Sequence, residues 1–312
     1  QGRGTALLLE GGGMRAGYVA GGLMALMDAG INDFDYGLAV SASVPSLAYF
    51  KAGQRRDMEG VWRHELNTAY LVQYKNYPAA SLALSEDRPI LNIDYLVDEV
   101  FRKKYPLSRQ RLQNNPMQAF FAATDLKQRK LTFFSADHTD IYSVFKAAMA
   151  VPGCYLGTVC VDQQECVDGG LINFLPLDQL VRLPVDRILV FLTRPLGAEH
   201  FLPGFLEKGL FYRFFAKNDW MFEQLKETEQ NYAQTVRMLQ AQCEHQPDRV
   251  MIIAPENRLP VRFISRNKKR INRTIDIGYE QVREQEDEIR EFLQGQVSAR
   301  HPVDNLSLNI RT

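Results

Sequence analysis

The sequence predicts an α/β fold built around a mostly parallel β-sheet. Short apolar runs without polar–apolar alternation recur along the chain, and such runs are typical of strands buried on both faces. Helix-like stretches separate these runs, which is the order expected when each crossover between parallel strands is helical. The 312 residues are enough for one large α/β domain or for two modest ones.

The first elements set the pattern. Thr5–Leu9 is an apolar run that ends at Glu10 and three glycines, which predicts a buried strand entering a tight turn. Ala16–Ala29 carries apolar side chains at helical spacing, and Tyr36–Val40 is the next apolar run. Ser41 follows directly and a second helix is predicted after it, so the order is strand, helix, strand, sharp turn, helix.

Further elements are predicted along the rest of the chain. The remaining strands are Gln118–Ala123, Lys130–Phe134, a short strand ending at Asp168, Arg187–Leu192 and Arg249–Ala254. Helices are predicted over Gln224–Gln242 and along an apolar stripe formed by Ile275, Tyr279, Val282, Ile289 and Phe292. We expect a core over residues 1–195, a helical insertion and C-terminal region over 196–297 packed on that core, and a loose tail over 298–312.

Composition and charge limit the classes of function. Lys and Arg number 37, and Asp and Glu also number 37, so the net charge argues neither for nor against a polyanionic partner. No aromatic interleaving or nucleic-acid motif is present, so we expect no nucleic-acid partner. No apolar run approaches the roughly 18–20 residues that span a bilayer, and Gln1–Glu10 lacks a signal-peptide pattern. The four cysteines are too few for a disulfide scaffold and lack zinc spacing, which predicts free buried thiols and a cytoplasmic location. We expect no metal and no cofactor.

A glycine-rich loop joins the first predicted strand to the first helix. Gly11, Gly12 and Gly13 are followed by Met14 and Arg15, and the backbone N–H groups of such a loop point outward near a helix N-terminus. The loop can bind a phosphate or the oxyanion of an acyl-transfer intermediate. Neither the P-loop ending nor the dinucleotide fingerprint is matched, and a simple tight turn is the remaining alternative.

Ser41 lies at a predicted strand–turn–helix junction. A serine in this position is lifted out of the sheet and presents its hydroxyl at a helix N-terminus, as a nucleophile does. The usual pattern places glycine two residues before and after the serine, whereas this chain has Ala39 and Ser43. An ordinary helix N-cap is an equally good interpretation of the junction alone. Ser43 is a poorer nucleophile candidate because Pro45 would flank it.

Asp168 is the candidate acid partner. It ends a short predicted strand and precedes two glycines, although Asp-Gly is also a common turn. A three-member serine site needs a histidine, and none of the five histidines follows a convincing core strand. A direct serine–aspartate pair remains, in which burial would raise the pKa of the carboxyl enough for it to act as a base.

Four segments in order resemble the patatin-like phospholipase family. They are Glu10–Arg15, Val40–Ala42, Ala147–Gly153 and Asp168–Gly170, and the stretch Ala122–Leu126 is similar to a strand end of the same family. The resemblance covers roughly residues 5–195. The C-terminal part is similar to a bacterial subgroup with an extra helical region.

The resemblance implies a three-layer α/β/α sandwich and a serine acyl hydrolase of the phospholipase A type. Ser41 would attack the carbonyl of a lipid or other acyl ester, and Asp168 would accept its proton. Gly11, Gly12 and Gly13 would hold the oxyanion through backbone N–H groups, and Arg15 would fix the loop.

Departures from the family pattern leave a second hypothesis open. Ala39, Ser43 and Ala16 stand where small residues, usually glycines, are expected. An added Cβ would cost about 1–3 kcal/mol wherever the backbone needs a conformation closed to other residues. The alternative is therefore a catalytically weak or inactive binding protein on the same fold.

Two segments bear on peripheral contact with the inner membrane surface. Phe201–Phe222 is rich in large apolar side chains, which indicates either a lid or interfacial segment, or an ordinary helix packed on the core. A basic cluster is formed by Arg262, Arg266, Lys268, Lys269, Arg270 and Arg273. It could meet anionic headgroups, but we expect a solvated face.

Overall fold

The computed structural model describes residues 4–76, 89–198 and 219–295 of the chain. Within them, eight strands form one sheet: β1 (Gly4–Leu9), β2 (Tyr36–Val40), β3 (Gln118–Asp125), β4 (Lys130–Ser135), β5 (Val159–Val161), β6 (Gln164–Asp168), β7 (Val185–Phe191) and β8 (Val250–Ile253). The helices are α1 (Gly17–Asp28), α2 (Ser43–Lys51), α3 (Arg55–Gly60), α4 (Ile93–Tyr95), α5 (Arg109–Asn114), α6 (Ile141–Met149), α7 (Leu177–Leu180), α8 (Asp219–His245), α9 (Lys268–Glu284) and α10 (Glu286–Gln294). Val61–Glu65 and Leu96–Lys104 prolong α3 and α4 as π-helical turns.

The centre of the sheet is parallel. Strands β3, β2, β1, β7 and β8 lie side by side in that order and run in the same direction. Strands β4 and β6 pair antiparallel with β3, and β5 pairs antiparallel with β6. The predicted mostly parallel sheet is confirmed, and its carboxyl-terminal edge gathers the loops that follow β1 and β2.

Helices cover both faces of the sheet. In β1, Leu7 and Leu9 belong to a core shared with α1, α2 and α9, whereas Ala6 and Leu8 belong to a second core shared with α7 and α8. Successive strand residues point to opposite faces, so a strand buried on both sides must be apolar at every position. The three-layer α/β/α arrangement expected from the resemblance is confirmed.

Two strands meet end to end on one edge of β3. Along its other edge β4 pairs continuously from Phe120 to Asp125. On the shared edge, β2 pairs up to Val40 opposite Ala122, and β6 pairs from its last residue, Asp168, opposite Ala123. The residue after β2 and the last residue of β6 are therefore brought face to face by consecutive residues of β3.

The C-terminal helices are packed tightly on the core. Gly278 of α9 lies against α1 so closely that a Cβ there would be 2.0 Å from the Tyr18 carbonyl oxygen, and Gly21 of α1 faces the Ile275 carbonyl in the same way. The apolar stripe predicted over Ile275–Phe292 is split between α9 and α10, which meet at Gln285. The division of the chain at residues 195 and 297 stays a prediction.

The cysteines, two secondary-structure elements and two segments differ from the sequence predictions or lie outside the described residues. Cys160 is exposed, so the prediction that all the thiols are buried is wrong at that position, although the cysteines are free as expected. Strand β5 and helix α6 were not predicted as elements. Residues 201–218 of the predicted lid segment and the predicted tail over 298–312 lie outside the described residues. No helix in the described part of the chain combines the length and apolarity needed to cross a membrane.

Candidate active site

Ser41 and Asp168 form a direct hydrogen-bonded pair. The Ser41 hydroxyl donates to Oδ2 of Asp168 across 2.6 Å, although the two residues are 127 positions apart in the chain. Their relative exposures are 2% and 3%, so water has little access to the bond. The two side chains are brought into contact because β2 and β6 meet end to end along β3. The sequence suggested this contact but could not establish it.

Ser41 occupies a strained turn between β2 and α2. Its φ is 56°, a left-handed conformation that costs a residue with a Cβ roughly 1–3 kcal/mol. The Ser41 carbonyl accepts a hydrogen bond from the Val44 N–H as α2 begins. The strand–turn–helix junction predicted around Ser41 is present, and strain of this kind is concentrated at functional positions.

The residues that replace the usual glycines are not strained. Ala39 lies within β2, Ser43 is the first residue of α2, and neither has a positive φ. Ala16, the third departure, has a right-handed helical φ of −62°. The Ser43 hydroxyl also donates to the Glu10 carbonyl at 2.7 Å, which ties the serine turn to the glycine loop. The condition for an added-Cβ cost is therefore not met at these positions.

The Asp168 carboxyl is held on both of its oxygens. Oδ2 accepts from Ser41, and Oδ1 accepts from the Gly170 N–H at 2.7 Å. The Asp168 backbone is anchored by its N–H to Ala150 and by its carbonyl to the Thr124 hydroxyl, both at 3.0 Å. Burial raises the pKa of Asp168 from its ordinary 3.8 to about 7, against the opposing effect of the hydrogen bonds from Ser41 and Gly170. A carboxyl with this pKa can accept and return a proton near neutral pH.

The glycine loop lies directly beside Ser41. A Cβ on Gly11 would stand 3.0 Å from the Ser41 Cβ and 3.2 Å from the Val40 carbonyl oxygen. Gly13 has a φ of +56°, and a Cβ there would be 2.4 Å from the Phe263 carbonyl oxygen. The left-handed turn and the backbone contact at Gly13 therefore require glycine, and the close approach at Gly11 favours it.

The three glycine amides are not equivalent. The Gly11 N–H donates to the Phe174 carbonyl at 3.3 Å and is already engaged. For the amides of Gly12 and Gly13, the described residues provide no acceptor. Gly13 also lines the same cavity as Ser41. The family resemblance implies the same role for all three glycines, whereas in the structure the Gly11 amide differs from the other two in being hydrogen-bonded already.

Arg15 and Glu10 hold the two ends of the loop. The Arg15 guanidinium lies over the Phe263 ring at 5.9 Å, while the Met14 N–H donates to the Phe263 carbonyl at 2.9 Å. The Glu10 carboxylate is fully buried, accepts from the Thr193 N–H at 2.5 Å and lies 3.5 Å from Arg194 Nε. Sequence reasoning did not assign a role to Glu10. The available signal was a charged residue placed between a buried strand and a glycine run.

An apolar cavity opens beside Ser41. Its wall is mostly aliphatic and aromatic: Met14, Val61, Trp62, Leu66, Leu71, Leu91, Ile93, Leu96, Phe101, Met149, Val151 and Phe263. The polar atoms of the wall are largely engaged, because Ser46 accepts from Trp62 Nε1 and the Tyr49 hydroxyl donates to the Tyr105 carbonyl. The cavity therefore offers an apolar environment next to the serine hydroxyl.

The described histidines lie away from this pair. His64 and His245 are exposed, and the ring of His138 contacts Asp162 at 2.9 Å. None of the three lines the cavity beside Ser41. The choice of a serine–aspartate pair over a histidine triad is compatible with this geometry.

Fold and site together define a three-layer α/β protein with a buried serine–carboxylate pair at the carboxyl edge of its sheet. A family model described as patatin-like phospholipase matches residues 7–181, which is more than half of the chain. The chain belongs to the patatin-like phospholipase family. A second model, a domain of unknown function (DUF6363), matches residues 219–294, the region of α8, α9 and α10.

Individual relatives are distant. The chain is 25% identical over 193 residues to the uncharacterized protein YjjU of Escherichia coli (strain K12), which covers 61% of this chain and 52% of that protein. Human GIVD cytosolic phospholipase A2 is similar in structure with a TM-score of 0.52 at 12% identity, covering 94% of this chain and 60% of that one. Its complex with methyl gamma-linolenyl fluorophosphonate gives a TM-score of 0.51 at 13% identity, covering 94% and 58%. The chain thus spans between half and two thirds of these relatives, and the structural likeness shows the fold.

Proposed function

We propose that this protein is a serine acyl hydrolase that cleaves carboxylic esters of lipids, with Ser41 as nucleophile and Asp168 as general base. The observation that carries the proposal is the buried 2.6 Å hydrogen bond between the two side chains, at the wall of an apolar cavity. Membership of the patatin-like phospholipase family supports lipid hydrolysis as the class of activity.

Acylation begins with attack of Ser41 Oγ on the ester carbonyl carbon. The hydroxyl proton passes to Oδ2 of Asp168 as the Oγ–C bond forms, and the carbonyl oxygen becomes an oxyanion. The N–H groups of Gly12 and Gly13 are the donors that we assign to that oxyanion, with Gly11 keeping the loop close to Ser41. Collapse of the intermediate breaks the bond to the alcohol, which leaves with the proton from Asp168, and an acyl-Ser41 ester remains.

Deacylation uses the same groups with water as the nucleophile. Asp168 accepts a proton from water, and the resulting hydroxide attacks the acyl-Ser41 carbonyl carbon. The Ser41 Oγ–C bond then breaks, the proton returns from Asp168 to Oγ, and a carboxylic acid is released. Because burial raises the pKa of Asp168 to about 7, its carboxylate is a stronger base than an ordinary aspartate and is still partly ionised near neutral pH.

The cavity argues for an acyl chain as the group that is bound beside Ser41. An apolar wall with engaged polar atoms offers contacts to methylene groups and few partners to a polar substituent. Each buried methylene contributes about 0.8 kcal/mol of binding free energy. A lipid ester should therefore be preferred over a short-chain ester, mainly through a lower KM.

The Glu10 carboxylate serves this function as a positioning group. It fixes Thr193 through the Thr193 N–H, and the Glu10 carbonyl receives the Ser43 hydroxyl. Glu10 thus connects three parts of the site: the end of β1 before the glycine loop, the turn at Ser41, and the segment that follows β7. A shift of about 1 Å in the relation of these parts can cost roughly a hundredfold in rate.

Turnover and covalent labelling test the proposal together. We expect wild-type protein to hydrolyse p-nitrophenyl esters and to be labelled by a lipid fluorophosphonate at Ser41, and Ser41→Ala to lose both. Ser46→Ala is a matched control, because Ser46 lines the same cavity but accepts a hydrogen bond from Trp62. Activity retained by Ser41→Ala would refute the assignment of the nucleophile. A wild-type protein that is neither labelled nor active would favour the alternative of a binding protein on this fold.

A further inference from the structure

A group of exposed basic residues lies on the segment that contributes Phe263 to the cavity wall. All six residues of the basic cluster are exposed, and within the described part of the chain five of them form no ion pair: Arg262, Arg266, Lys268, Lys269 and Arg270. We call these five residues the basic surface. Arg273 is set apart from them because its guanidinium pairs with Glu280 at 2.9 Å.

The basic surface has no carboxylate partner within the described part of the chain. None of its five members forms an ion pair there, whereas Arg273 pairs with Glu280 and Arg63 with Asp276. Lys268, Lys269 and Arg270 occupy the first turn of α9, and no acidic residue shares that turn. Cations at this end oppose the helix macrodipole, so folding alone does not favour them there. An anionic partner would satisfy both the side chains and the helix end.

The same segment contributes one residue, Phe263, to the lining of the cavity. Phe263 lines the cavity next to Ser41, and its chain neighbour Arg262 points to solvent. Arg266 reaches across to the opposite segment, where its guanidinium donates to the Val72 carbonyl at 3.3 Å. Leu71, the residue before Val72, also lines the cavity. Two of the five cations, Arg262 and Arg266, are therefore neighbours of residues that line the cavity.

Exposed tyrosines accompany the basic surface. Tyr70 is 69% exposed and Tyr74 is 43% exposed, and they belong to the segment that Arg266 contacts. The Arg266 guanidinium lies over the Tyr74 ring at 5.4 Å, and Tyr70 packs against Tyr95 at 5.4 Å. Tyrosine is enriched where a protein meets the headgroup layer of a bilayer, because its ring is apolar and its hydroxyl is polar.

We propose that the basic surface, with Tyr70 and Tyr74, docks the protein on an anionic lipid bilayer and presents the cavity beside Ser41 to it. Docking at this surface rests on the proposed acyl hydrolase function, since it supplies that site with its lipid. Basic side chains bind the negative surface of such a bilayer and the tyrosines enter its headgroup layer. A soluble polyanion would satisfy the charges but would not need the tyrosines.

Vesicle sedimentation measures this docking without hydrolysis. The protein carries Ser41→Ala, and its partition is compared between neutral phosphatidylcholine vesicles and vesicles with about a third of anionic phosphatidylserine. We expect strong binding only to the anionic vesicles, weakening as salt is raised. Lys268→Glu with Lys269→Glu should reduce binding at least about 25-fold, at roughly fivefold for each cation removed. This variant should fold, because acidic residues suit the first turn of a helix.

Arg109→Glu with Arg111→Glu is the matched control. These exposed arginines lie in α5, which begins at Arg109, near the amino-terminal end of β3 and thus at the opposite edge of the sheet. The control should bind anionic vesicles within about twofold of the parent, and Tyr70→Ser with Tyr74→Ser should weaken the binding that persists at high salt. Equal loss in the control and the Lys268/Lys269 variant, equal binding to neutral vesicles, or equal affinity for soluble heparin would overturn the proposal.

Failure of docking and failure of the proposed function give different results. Hydrolysis of a water-soluble ester, measured on protein with Ser41 intact, should be unchanged in the Lys268/Lys269 variant. Vesicle binding without ester hydrolysis would overturn the catalytic proposal and leave docking standing. Ester hydrolysis without vesicle binding would overturn the docking proposal and leave the catalytic proposal standing.

Discussion

Replacing Asp168 with asparagine should stabilise the protein at alkaline pH while it removes activity. The substitution keeps the size of the side chain. An asparagine oxygen can still accept from the Gly170 N–H, and its amide can donate to Ser41 Oγ, so both hydrogen-bonded positions remain occupied. What disappears is a buried carboxylate that must ionise in order to act as a base.

The magnitude follows from the pKa of Asp168. Burial raises it from 3.8 to about 7, and a tenfold change in a proton equilibrium is worth roughly 1.4 kcal/mol, so the ionised carboxyl costs the folded state about 4 kcal/mol. Below about pH 4 the group is protonated in both states. As pH rises from about 4 to 7 the unfolded chain loses the proton and the folded chain retains it, so stability falls; above about 7 the loss is complete.

Denaturant unfolding of wild type and Asp168→Asn at about pH 4 and pH 8 tests this reasoning. We expect similar stability at the lower pH and a variant more stable by up to about 4 kcal/mol at the higher pH, which corresponds to a Tm higher by roughly 5–10 °C. Turnover should fall about 10²–10⁴-fold because the general base is lost. A stability difference that does not change with pH, or a variant that is less stable at pH 8, would refute the account of a buried, pKa-shifted carboxyl.

The remaining predictions concern the same site. The value of kcat/KM for a soluble ester should rise about tenfold per pH unit below about 7 and level off above it, because Asp168 must be deprotonated to accept the proton; a flat profile over this range would contradict its role as base. Ser41→Gly and Ser41→Ala should both abolish turnover and lose the hydrogen bond to Asp168, but the glycine variant should have the higher unfolding free energy by about 1 kcal/mol, since glycine relieves the left-handed strain; equal stability of the two variants would argue against that strain. Gly11→Ala should lower kcat by about a hundredfold, because its Cβ would stand 3.0 Å from the Ser41 Cβ, and wild-type kcat would show that the loop can move aside. Ser43→Gly, which restores the usual family residue, should lower stability by about 1 kcal/mol and bring no gain in turnover, since it removes the bond to the Glu10 carbonyl; a faster enzyme would show that the serine impairs the turn.

Local elements of the fold were predictable because their signals are local. The limits of β2 were predicted as Tyr36–Val40 and are observed there, since an apolar run between polar residues fixes both ends of a buried strand. The glycine loop after β1 and the turn at Ser41 were also predicted. The π-helical turns Val61–Glu65 and Leu96–Lys104 were not, although they contribute much of the cavity wall. Their apolar residues have the spacing of ordinary core helices, and periodicity does not distinguish a core from a cavity lining.

The site residues also differ in whether a local sequence signal identifies them. Ser41, Asp168 and the three glycines were singled out as candidates by their motifs, and the family resemblance supplied their expected roles together with that of Arg15. Glu10 was missed because its importance comes from partners at Ser43 and Thr193, which are distant in sequence. The motif also could not show that the Gly11 amide is occupied by the Phe174 carbonyl.

By itself the sequence determined the candidate site residues: a serine that must leave a strand through a sharp turn, an aspartate at a strand end, and a glycine run suited to a tight backbone turn. The tertiary structure decided whether they form a site. Consecutive residues of β3 pair with the ends of β2 and β6, and this places Ser41 Oγ 2.6 Å from Asp168. The structure also decided that Ala39 and Ser43 are compatible with the turn, because φ at these positions depends on the packing of β2 and α2. The burial that raises the pKa of Asp168 is likewise a property of the assembled layers, since no local stretch of chain can exclude water from a carboxyl.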